Sequence, residues 1–205
     1  YSNYTYKMTK NTKVNAAIII IGNEILSGRT QDTNTSTLAT WLNSIGVKVN
    51  EVRAIPDIEK KIIDTLNSLR KTNDYVFTTG GIGPTHDDIT AESVSKAFGL
   101  KYMIHKEAFK ILEAYYKQGE FNEGRQRMVW MPENAKLILN PTSGAPGFSV
   151  DNVFCLPGVP SILKSMLGGL KNEIVGGEPI LSHTISLKTV ESEIANSLTK
   201  VQNNN

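Results

Sequence analysis

One stretch of the sequence, residues 75–90, restricts the fold most, because it joins an apolar run to a glycine loop and then to a helical pattern. Residues 75–79 favour β structure and predict a buried strand, and residues 89–98 predict a helix. The loop between them contains Gly80, Gly81, Gly83 and Pro84. A strand, a glycine loop and a helix start leave backbone N–H groups free to bind an anion.

The same stretch carries two adjacent carboxylates, Asp87 and Asp88. The glycine spacing fits neither the dinucleotide-binding fingerprint nor the lysine-bearing P-loop. Acidic side chains repel a phosphate unless a cation lies between them, so the stretch predicts a phosphate ligand bridged by a divalent metal such as Mg²⁺. The alternative is that one of the two aspartates only caps the following helix, as aspartate often does.

Apolar runs and helical patterns alternate along the rest of the chain. The predicted strands are Val14–Ile21, Val47–Ile55, Tyr75–Thr79 and Val153–Leu156. The spacing of apolar residues predicts a helix after each of the first three strands, and further helices near residues 107–116, 160–167 and 190–201. This alternation predicts an α/β protein, a three-layer sandwich with a mainly parallel sheet. The pair Asp151-Asn152 predicts a hairpin turn before the last strand.

Four carboxylates follow two of the predicted strands. Glu24 and Asp32 come after the first strand, ahead of Asn34, and Asp87 and Asp88 come after the third. In such sheets ligands bind outside the carboxyl ends of the strands, so we expect these loops to share one metal and phosphate site. Helix capping is the alternative for Asp32 and Asn34.

The composition excludes several classes of function. The net charge is +2, with 22 basic and 20 acidic residues and no basic cluster, which argues against nucleic-acid binding. The longest apolar run, residues 16–21, is too short to cross a membrane, and the first thirteen residues lack the apolar core of a signal peptide. We therefore expect a cytoplasmic protein. The single cysteine, Cys155, lies in an apolar run and is expected to be a buried structural thiol.

A few other polar residues are open to two interpretations. Arg125 and Arg127 either bind an anionic ligand or lie on a solvated helix face. His86 lies within the glycine loop and is a candidate for contacting the ligand, whereas His105 is expected to be structural. A third loop at the sheet edge is predicted at residues 157–158.

Domain boundaries are predicted from composition. Residues 1–13 are polar and predict a disordered or tag-derived tail. Residues 14–175 are expected to form the main domain, and the glycine-rich segment 168–179 is expected to mark its end. Residues 180–205 are expected to contain a strand at residues 183–187 and the helix near residues 190–201, which are too small to form a core of their own.

Five segments resemble the molybdopterin-binding (MoaB/Mog, MoCF-biosynthesis) superfamily in sequence and in order. They are residues 22–28, 31–34, 78–90, 143–148 and 156–160. Within the superfamily the chain is most similar to the CinA amino-terminal domain and the related domain of eukaryotic FAD synthases, which carry an extra carboxylate at the position of Asp87 beside Asp88. The resemblance implies a homo-oligomer, a dimer or a trimer, that binds a small-molecule nucleotide or molybdopterin. It also implies that residues 180–205 are the start of a small α+β subdomain.

The resemblance also implies roles for individual residues. It implies catalytic roles for Asp88, Asp87 and Asp32, and metal-binding roles for Asp88, Asp32 and Glu24, with Mg²⁺ or another divalent metal such as Co²⁺ as cofactor. The implied ligand- and phosphate-binding residues are Thr78, Thr79, Gly80, Gly81, Gly83, Pro84, Thr85, Asn34, Ser143, Gly144, Pro157 and Gly158. In the CinA branch this site is associated with hydrolysis of pyrophosphates of the ADP-ribose or FAD type. The alternatives are adenylylation of molybdopterin and nucleotide binding without catalysis.

Overall fold

A computed structural model describes residues 13–179, 186, 188 and 190–203 of the chain. The strands in this part are β1 (Val14–Ile21), β2 (Val47–Ile55), β3 (Tyr75–Thr79), β4 (Tyr102–Ile104), β5 (Trp130–Pro132), β6 (Lys136–Ile138), β7 (Gly147–Val150) and β8 (Val153–Leu156). The α-helices are α1 (Asn23–Leu26), α2 (Asn34–Ser44), α3 (Glu59–Leu69), α4 (Thr90–Phe98), α5 (Lys106–Tyr115), α6 (Glu123–Gln126), α7 (Pro160–Leu170) and α8 (Glu191–Asn203). A 3₁₀ turn, Arg127–Val129, joins α6 to β5.

Six strands form one sheet in the order β2-β1-β3-β8-β7-β6. The pairs β1–β2, β1–β3 and β3–β8 are parallel, with Ile18 opposite Phe77 and Thr78 opposite Cys155, whereas β7 is antiparallel to both of its neighbours. The carboxyl ends of β1, β2, β3 and β8 therefore lie at one edge, together with the loop between β6 and β7. The predicted mainly parallel sheet is confirmed.

Helices cover both faces of the sheet, because side chains of a strand point alternately to its two sides. On one face Ala17, Ile19 and Ile21 pack with buried residues of α3, α4 and α5. On the other face Ala16, Ile18 and Ile20 pack with buried residues of α2 and α7. A strand buried on both faces reads as a continuous apolar run, which is why β1 shows no alternation in the sequence. The predicted three-layer sandwich is confirmed.

The bounds of several elements differ from the predicted ones. The short helix α1, directly after β1, was not predicted, and α3 begins at Glu59. Helix α7 continues through Gly168 and Gly169 to Leu170, because Leu170 is fully buried in the core and anchors the last turn. The antiparallel pair β4–β5 was not predicted. The hairpin turn at residues 151–152 is confirmed, with Asp151 at a positive φ of 51°.

The segment that follows α7 packs back on the sheet. The amide of Gly177 donates to the carbonyl of Gly46 at 3.1 Å, and the amide of Val175 donates to the Tyr75 hydroxyl at 2.9 Å. Residues 171–177 thus belong to the main domain rather than to a linker. Helix α8 confirms the helix predicted at residues 190–201, whereas the predicted tail and the predicted strand at residues 183–187 lie outside the described residues, apart from Lys13 and Ser186. No helix in the described ranges is both long and apolar enough to traverse a bilayer.

Candidate functional site

The glycine loop is held against two other loops at the carboxyl edge of the sheet. Gly80 has a φ of 95° and Gly81 a φ of 69°, conformations that side chains rarely adopt. The amide of Gly80 donates to the carbonyl of Leu156 at 3.0 Å, and a Cβ on Gly80 would overlap the carbonyl oxygen of Ile21. Only glycine therefore lets the loop lie between the ends of β1 and β8.

Three successive amides of this loop are free. Thr90 binds the carbonyl groups of this loop: its hydroxyl donates to Gly80 O at 3.0 Å and its amide donates to Gly81 O at 2.9 Å. The amides of Gly81, Ile82 and Gly83 donate no hydrogen bond among the described residues. Successive unpaired N–H groups next to the start of a helix form a site for an anion.

The two aspartates after the glycine loop share one hydroxyl. Thr85 Oγ1 lies 2.6 Å from Asp87 Oδ1 and 2.6 Å from Asp88 Oδ2, and the Thr85 amide donates to Asp88 Oδ2 at 2.8 Å. The hydroxyl carries one hydrogen, so it donates to one carboxylate at a time. Hydrogen bonding from Thr85, and then from a backbone amide, lowers the pKa of Asp87. The alternative that either aspartate caps α4 is wrong, because among the described residues both carboxylates bond to Thr85 and neither accepts from an amide at the start of that helix.

A further carboxylate, Asp57, lies in the loop after β2 and was missed in the sequence. Its Oδ2 accepts from the Asn23 amide at 2.8 Å, which ties this loop to the loop after β1. Partial burial raises the pKa of Asp57, and the charges of Glu24, Asp87 and Asp88 raise it further, against a lowering effect of the Asn23 hydrogen bond. None of these four carboxylates forms an ion pair within the described residues. The edge therefore carries four carboxylates that no described cation contacts as an ion pair.

The loop before α2 contacts the loop after β8. The Asn34 side chain donates to the carbonyl of Gly158 at 2.8 Å, and Asp32 Oδ1 accepts from the amides of Asn34 at 2.9 Å and Thr35 at 3.3 Å. Asp32 therefore does cap the start of α2, which was the alternative interpretation. Asn34 is 6% exposed and its Oδ1 is buried without a partner in the described part of the chain. Next to it lies a cavity of about 50 Å³, whose lining includes Glu24, Asp32, Asn34, Thr79 and Gly158.

A second cleft opens on the other side of the glycine loop. It has a volume of about 220 Å³ and is lined by Asp88, Ile89, Glu92, Tyr102, Arg127 and Trp130; we call it the aromatic cleft. A recess of about 10 Å³ shares Asp88, Tyr102, Arg127 and Trp130 with it and extends to Gly83 and Pro146. The predicted site residues are thus divided, because Asp32 and Glu24 line the cavity beside Asn34 whereas Asp88 lines the aromatic cleft.

The remaining predicted residues occupy different positions around the edge. Thr78 is fully buried in β3 opposite Cys155, whereas Pro84 and Thr85 are exposed. Ser143 and Gly144 lie in the loop between β6 and β7, which the buried Asn140 organises by accepting from the Ser143 amide at 3.0 Å. Pro157 is partly buried at the end of β8. None of Ser143, Gly144 and Pro157 lines the cavity or the aromatic cleft.

The other candidate side chains differ in exposure and in the groups that they contact. His86 is exposed in the glycine loop, and His105 caps α5 by accepting from the Ala108 amide at 3.3 Å, as expected of a structural histidine. Arg125 stacks on the ring of Tyr116 at 4.2 Å, whereas Arg127 lines the aromatic cleft. Burial raises the pKa of the Cys155 thiol to about 12, which confirms a structural thiol.

The described residues contain no group of three His, Cys, Asp or Glu side chains close enough to hold a metal ion by themselves. Magnesium, however, usually takes one or two carboxylates and completes its shell with water and the phosphates of a ligand. The paired carboxylates Asp87 and Asp88 next to free amides provide the donor types for such an ion. The residues fit a divalent cation that arrives with a phosphate ligand, and they do not form a closed metal cage.

The fold and the site define an α/β domain whose glycine loop and acidic residues lie at the carboxyl edge of a mainly parallel sheet. Residues 17–182 match the family model described as "Probable molybdopterin binding domain". The chain therefore belongs to the molybdopterin-binding (MoCF biosynthesis) domain family, as the resemblance of its loops indicated.

Sequence relatives support this assignment and differ in length. A protein of Archaeoglobus fulgidus is 34% identical over 188 residues, which cover 92% of this chain and 80% of that protein. A CinA-like protein of Syntrophotalea carbinolica is 34% identical over 160 residues, which cover 75% of this chain and 39% of that protein. The chain thus spans well under half the length of the CinA-like relative.

Solved structures confirm the fold. The crystal structure of the protein CinA from Thermoplasma acidophilum matches with a TM-score of 0.74 at 32% identity, over 80% of this chain and 99% of that chain. The molybdopterin biosynthesis enzyme MoaB from Thermus thermophilus matches with a TM-score of 0.52 at 18% identity, over 77% of this chain and 89% of that chain. The first is similar in sequence and fold, and the second in fold.

Proposed function

We propose that this domain binds the phosphates of an ADP-containing nucleotide along the glycine loop and hydrolyses their pyrophosphate bond, with Mg²⁺ or Co²⁺ as cofactor. The observation that carries the proposal is the row of free amides at Gly81, Ile82 and Gly83 next to the Asp87–Asp88 pair. The amides favour an anion, whereas the carboxylates repel one. Both are accommodated when a divalent cation lies between the phosphate and the carboxylates.

Each group has a role in this reaction. Asp88 and Asp87 would hold the ion, which supplies polarisation of a phosphoryl oxygen and an activated water when bound. The water oxygen forms a bond to one phosphorus, the bond from that phosphorus to the bridging oxygen breaks, and the bridging oxygen leaves with the other phosphate. The free amides of the loop would stabilise the negative charge that develops on the attacked phosphate. The lowered pKa of Asp87 extends the range in which it stays an anion toward lower pH.

The test is separation of products after incubation with ADP-ribose or FAD in Mg²⁺ or Co²⁺. Wild type is expected to release AMP. Asp88→Asn is expected to lower the rate about a hundredfold or more, because it replaces a negatively charged ligand of the ion by a neutral amide. Asp151→Asn is the matched control, since Asp151 lies at the opposite end of β8 and asparagine tolerates its positive φ. Equal rates for wild type and Asp88→Asn would contradict the assignment.

A second candidate function follows from the family to which the chain belongs, whose description names molybdopterin binding. On this alternative the same free amides hold the phosphate of molybdopterin, and the domain adenylylates it with ATP. ATP consumption that depends on molybdopterin, with no AMP released from ADP-ribose or FAD, would favour it. Saturable nucleotide binding with neither reaction would instead indicate a non-catalytic binding module.

We also propose that the domain acts as a homo-oligomer, a dimer or a trimer, as the resemblance of its loops implies. The mass measured by light scattering during gel filtration tests this directly. A monomer at assay concentrations that still turns over would contradict it.

A further inference from the structure

The aromatic cleft adjoins the proposed phosphate site and contains two side chains, Trp130 and Arg127, to which the proposed hydrolysis assigns no role. Asp88 belongs to both, and the small recess connects the cleft with Gly83 of the glycine loop. A ligand whose phosphates lie on the loop amides could therefore extend past Asp88 into this cleft. Its volume of about 220 Å³ is below the ~300–1,000 Å³ of sites for whole ligands, so it suits one ring system of a nucleotide.

Trp130 provides an aromatic surface in this cleft. It remains 37% exposed although its ring packs on that of Tyr102, with a centroid distance of 5.4 Å and an angle of 45° between the planes. Its position on β5, paired with β4, places it on an ordered element rather than on a free loop. Exposed aromatic side chains on strands are typical platforms on which nucleobases stack.

Arg127 provides the one basic group of the cleft. Its guanidinium is exposed and makes no ion pair or hydrogen bond to other described residues. Arg125, two residues earlier, donates to the carbonyl of Glu120 at 2.6 Å and stacks on Tyr116. The two arginines of this segment therefore differ, and only Arg127 is free to bind a ligand. A guanidinium binds a phosphate through two parallel hydrogen bonds.

We propose that the aromatic cleft binds the planar base of the nucleotide, with Trp130 stacked on the base and Arg127 bound to the adjoining phosphate. This deepens the proposed function and rests on it, because it assigns the phosphates to the glycine loop and the base to the cleft. It makes Trp130 and Arg127 residues that determine specificity, selecting phosphate esters that carry a heteroaromatic ring over simple sugar phosphates.

The first test uses tryptophan fluorescence. The described chain has Trp41 on α2 and Trp130 in the cleft, and Trp41→Phe leaves the latter as the remaining fluorophore. With Mg²⁺ present, AMP is expected to quench the emission of this variant, whereas ribose 5-phosphate, which lacks the base, is not. Equal responses to the two compounds, or no response to AMP, would overturn the proposal. An emission shift with protein concentration alone would also overturn it, since that indicates contact between copies of the chain.

The second test measures AMP affinity by calorimetry. Trp130→Ala is expected to weaken AMP binding about tenfold, as loss of one stacked base does, whereas Trp130→Phe retains most of the affinity. Arg127→Gln is expected to weaken it similarly, and Arg125→Gln is the matched control with unchanged affinity. Thermal melts verify that each variant is folded. Unchanged affinity in both Trp130→Ala and Arg127→Gln would overturn the proposal.

The two proposals can fail separately. If wild type releases AMP from ADP-ribose and the Trp130 and Arg127 variants keep the wild-type KM, the base lies elsewhere and pyrophosphate hydrolysis stands. If the cleft binds AMP as described but no substrate is hydrolysed, the base site stands and the hydrolytic function fails. A raised KM with unchanged kcat in Trp130→Ala supports both.

Discussion

The amide of Asn23 donates a hydrogen bond to Oδ2 of Asp57 at 2.8 Å, and this contact joins the loop after β1 to the loop after β2. It holds the Asp57 carboxylate within electrostatic reach of Glu24, Asp87 and Asp88. Three acidic side chains from two other loops thereby disfavour the ionised form of Asp57 at the sheet edge. The charge of Asp57 is therefore a cost to the folded domain that a bound cation would relieve.

Asp57→Asn is expected to stabilise the domain in the absence of divalent metal. Asparagine retains an oxygen for the Asn23 amide and removes the charge, whose ionisation is unfavourable in the fold because the pKa of Asp57 is raised. The gain should be present at neutral pH and disappear as the pH falls through the titration range of aspartate, where the wild-type side chain becomes neutral too. Since Asp57 is only partly buried and solvent screens its charge, we expect less than about 1 kcal/mol, a rise in Tm of a few degrees.

Thermal melts with and without Mg²⁺ check this expectation. Mg²⁺ should raise the Tm of wild type more than that of Asp57→Asn, because the variant has less repulsion to relieve. Asp64→Asn on α3 is the control, since Asp64 is exposed and pairs with Lys60 at 2.7 Å. A lower Tm for Asp57→Asn at neutral pH would contradict the assigned repulsion.

Thr85→Val is expected to shift the acid limb of the pH–rate profile upward. The Thr85 hydroxyl is the largest cause of the lowered pKa of Asp87, and valine removes it while keeping the shape of the side chain. Asp87 then accepts a proton at a higher pH than in wild type. Thr85→Ser keeps the hydroxyl and should keep the wild-type profile. If the acid limb lies at the same pH in all three proteins, Asp87 does not govern it.

Gly81→Ala is expected to destabilise the domain more than Gly28→Ala. Both residues have a positive φ, 69° and 73°, so both substitutions introduce strain of about 1–2 kcal/mol. A Cβ on Gly81 would also overlap the Thr90 hydroxyl, whereas a Cβ on Gly28 would meet no atom of the described residues within 4 Å. The clash should add about 1–3 kcal/mol, measured as a lower denaturation midpoint. Equal losses would mean that the loop moves to accommodate the methyl group.

Cys155 is expected to react with thiol reagents only when the domain unfolds. The side chain is fully buried and its pKa is raised to about 12, so little thiolate forms in the native state. The rate of modification by a chromogenic disulfide should therefore match the rate of global unfolding and rise steeply in denaturant. Rapid modification under native conditions, at a rate independent of denaturant, would show that β8 opens locally.

Local sequence patterns predicted the strands well and the site less completely. The bounds of β1, β3 and β8 follow from continuous apolar runs, and those of β2 follow from the alternation of apolar and polar residues. Asp57 was missed because Pro56-Asp57 has the pattern of a helix start, and its partner Asn23 lies 34 residues away. No local pattern reports such a contact.

The aromatic cleft shows the same limitation on a larger scale. It combines Asp88 and Ile89 with residues of β4 and β5, which are short strands brought together by pairing between Ile104 and Trp130. Three-residue strands leave no periodicity in a sequence. The sequence therefore left Arg125 and Arg127 equivalent, and only their packing separates them.

The turn at residues 151–152 has a consequence for the order of folding. The Asn152 side chain donates to the carbonyls of Arg70 and Asn73, both at 3.0 Å, across 82 and 79 residues of sequence. The end of α3 and the start of β3 thus complete their hydrogen bonds only after the β7–β8 hairpin has docked. Such distant pairing is slow to form. During synthesis on the ribosome, the edge of β3 that pairs with β8 would therefore stay exposed until about eighty further residues have been added.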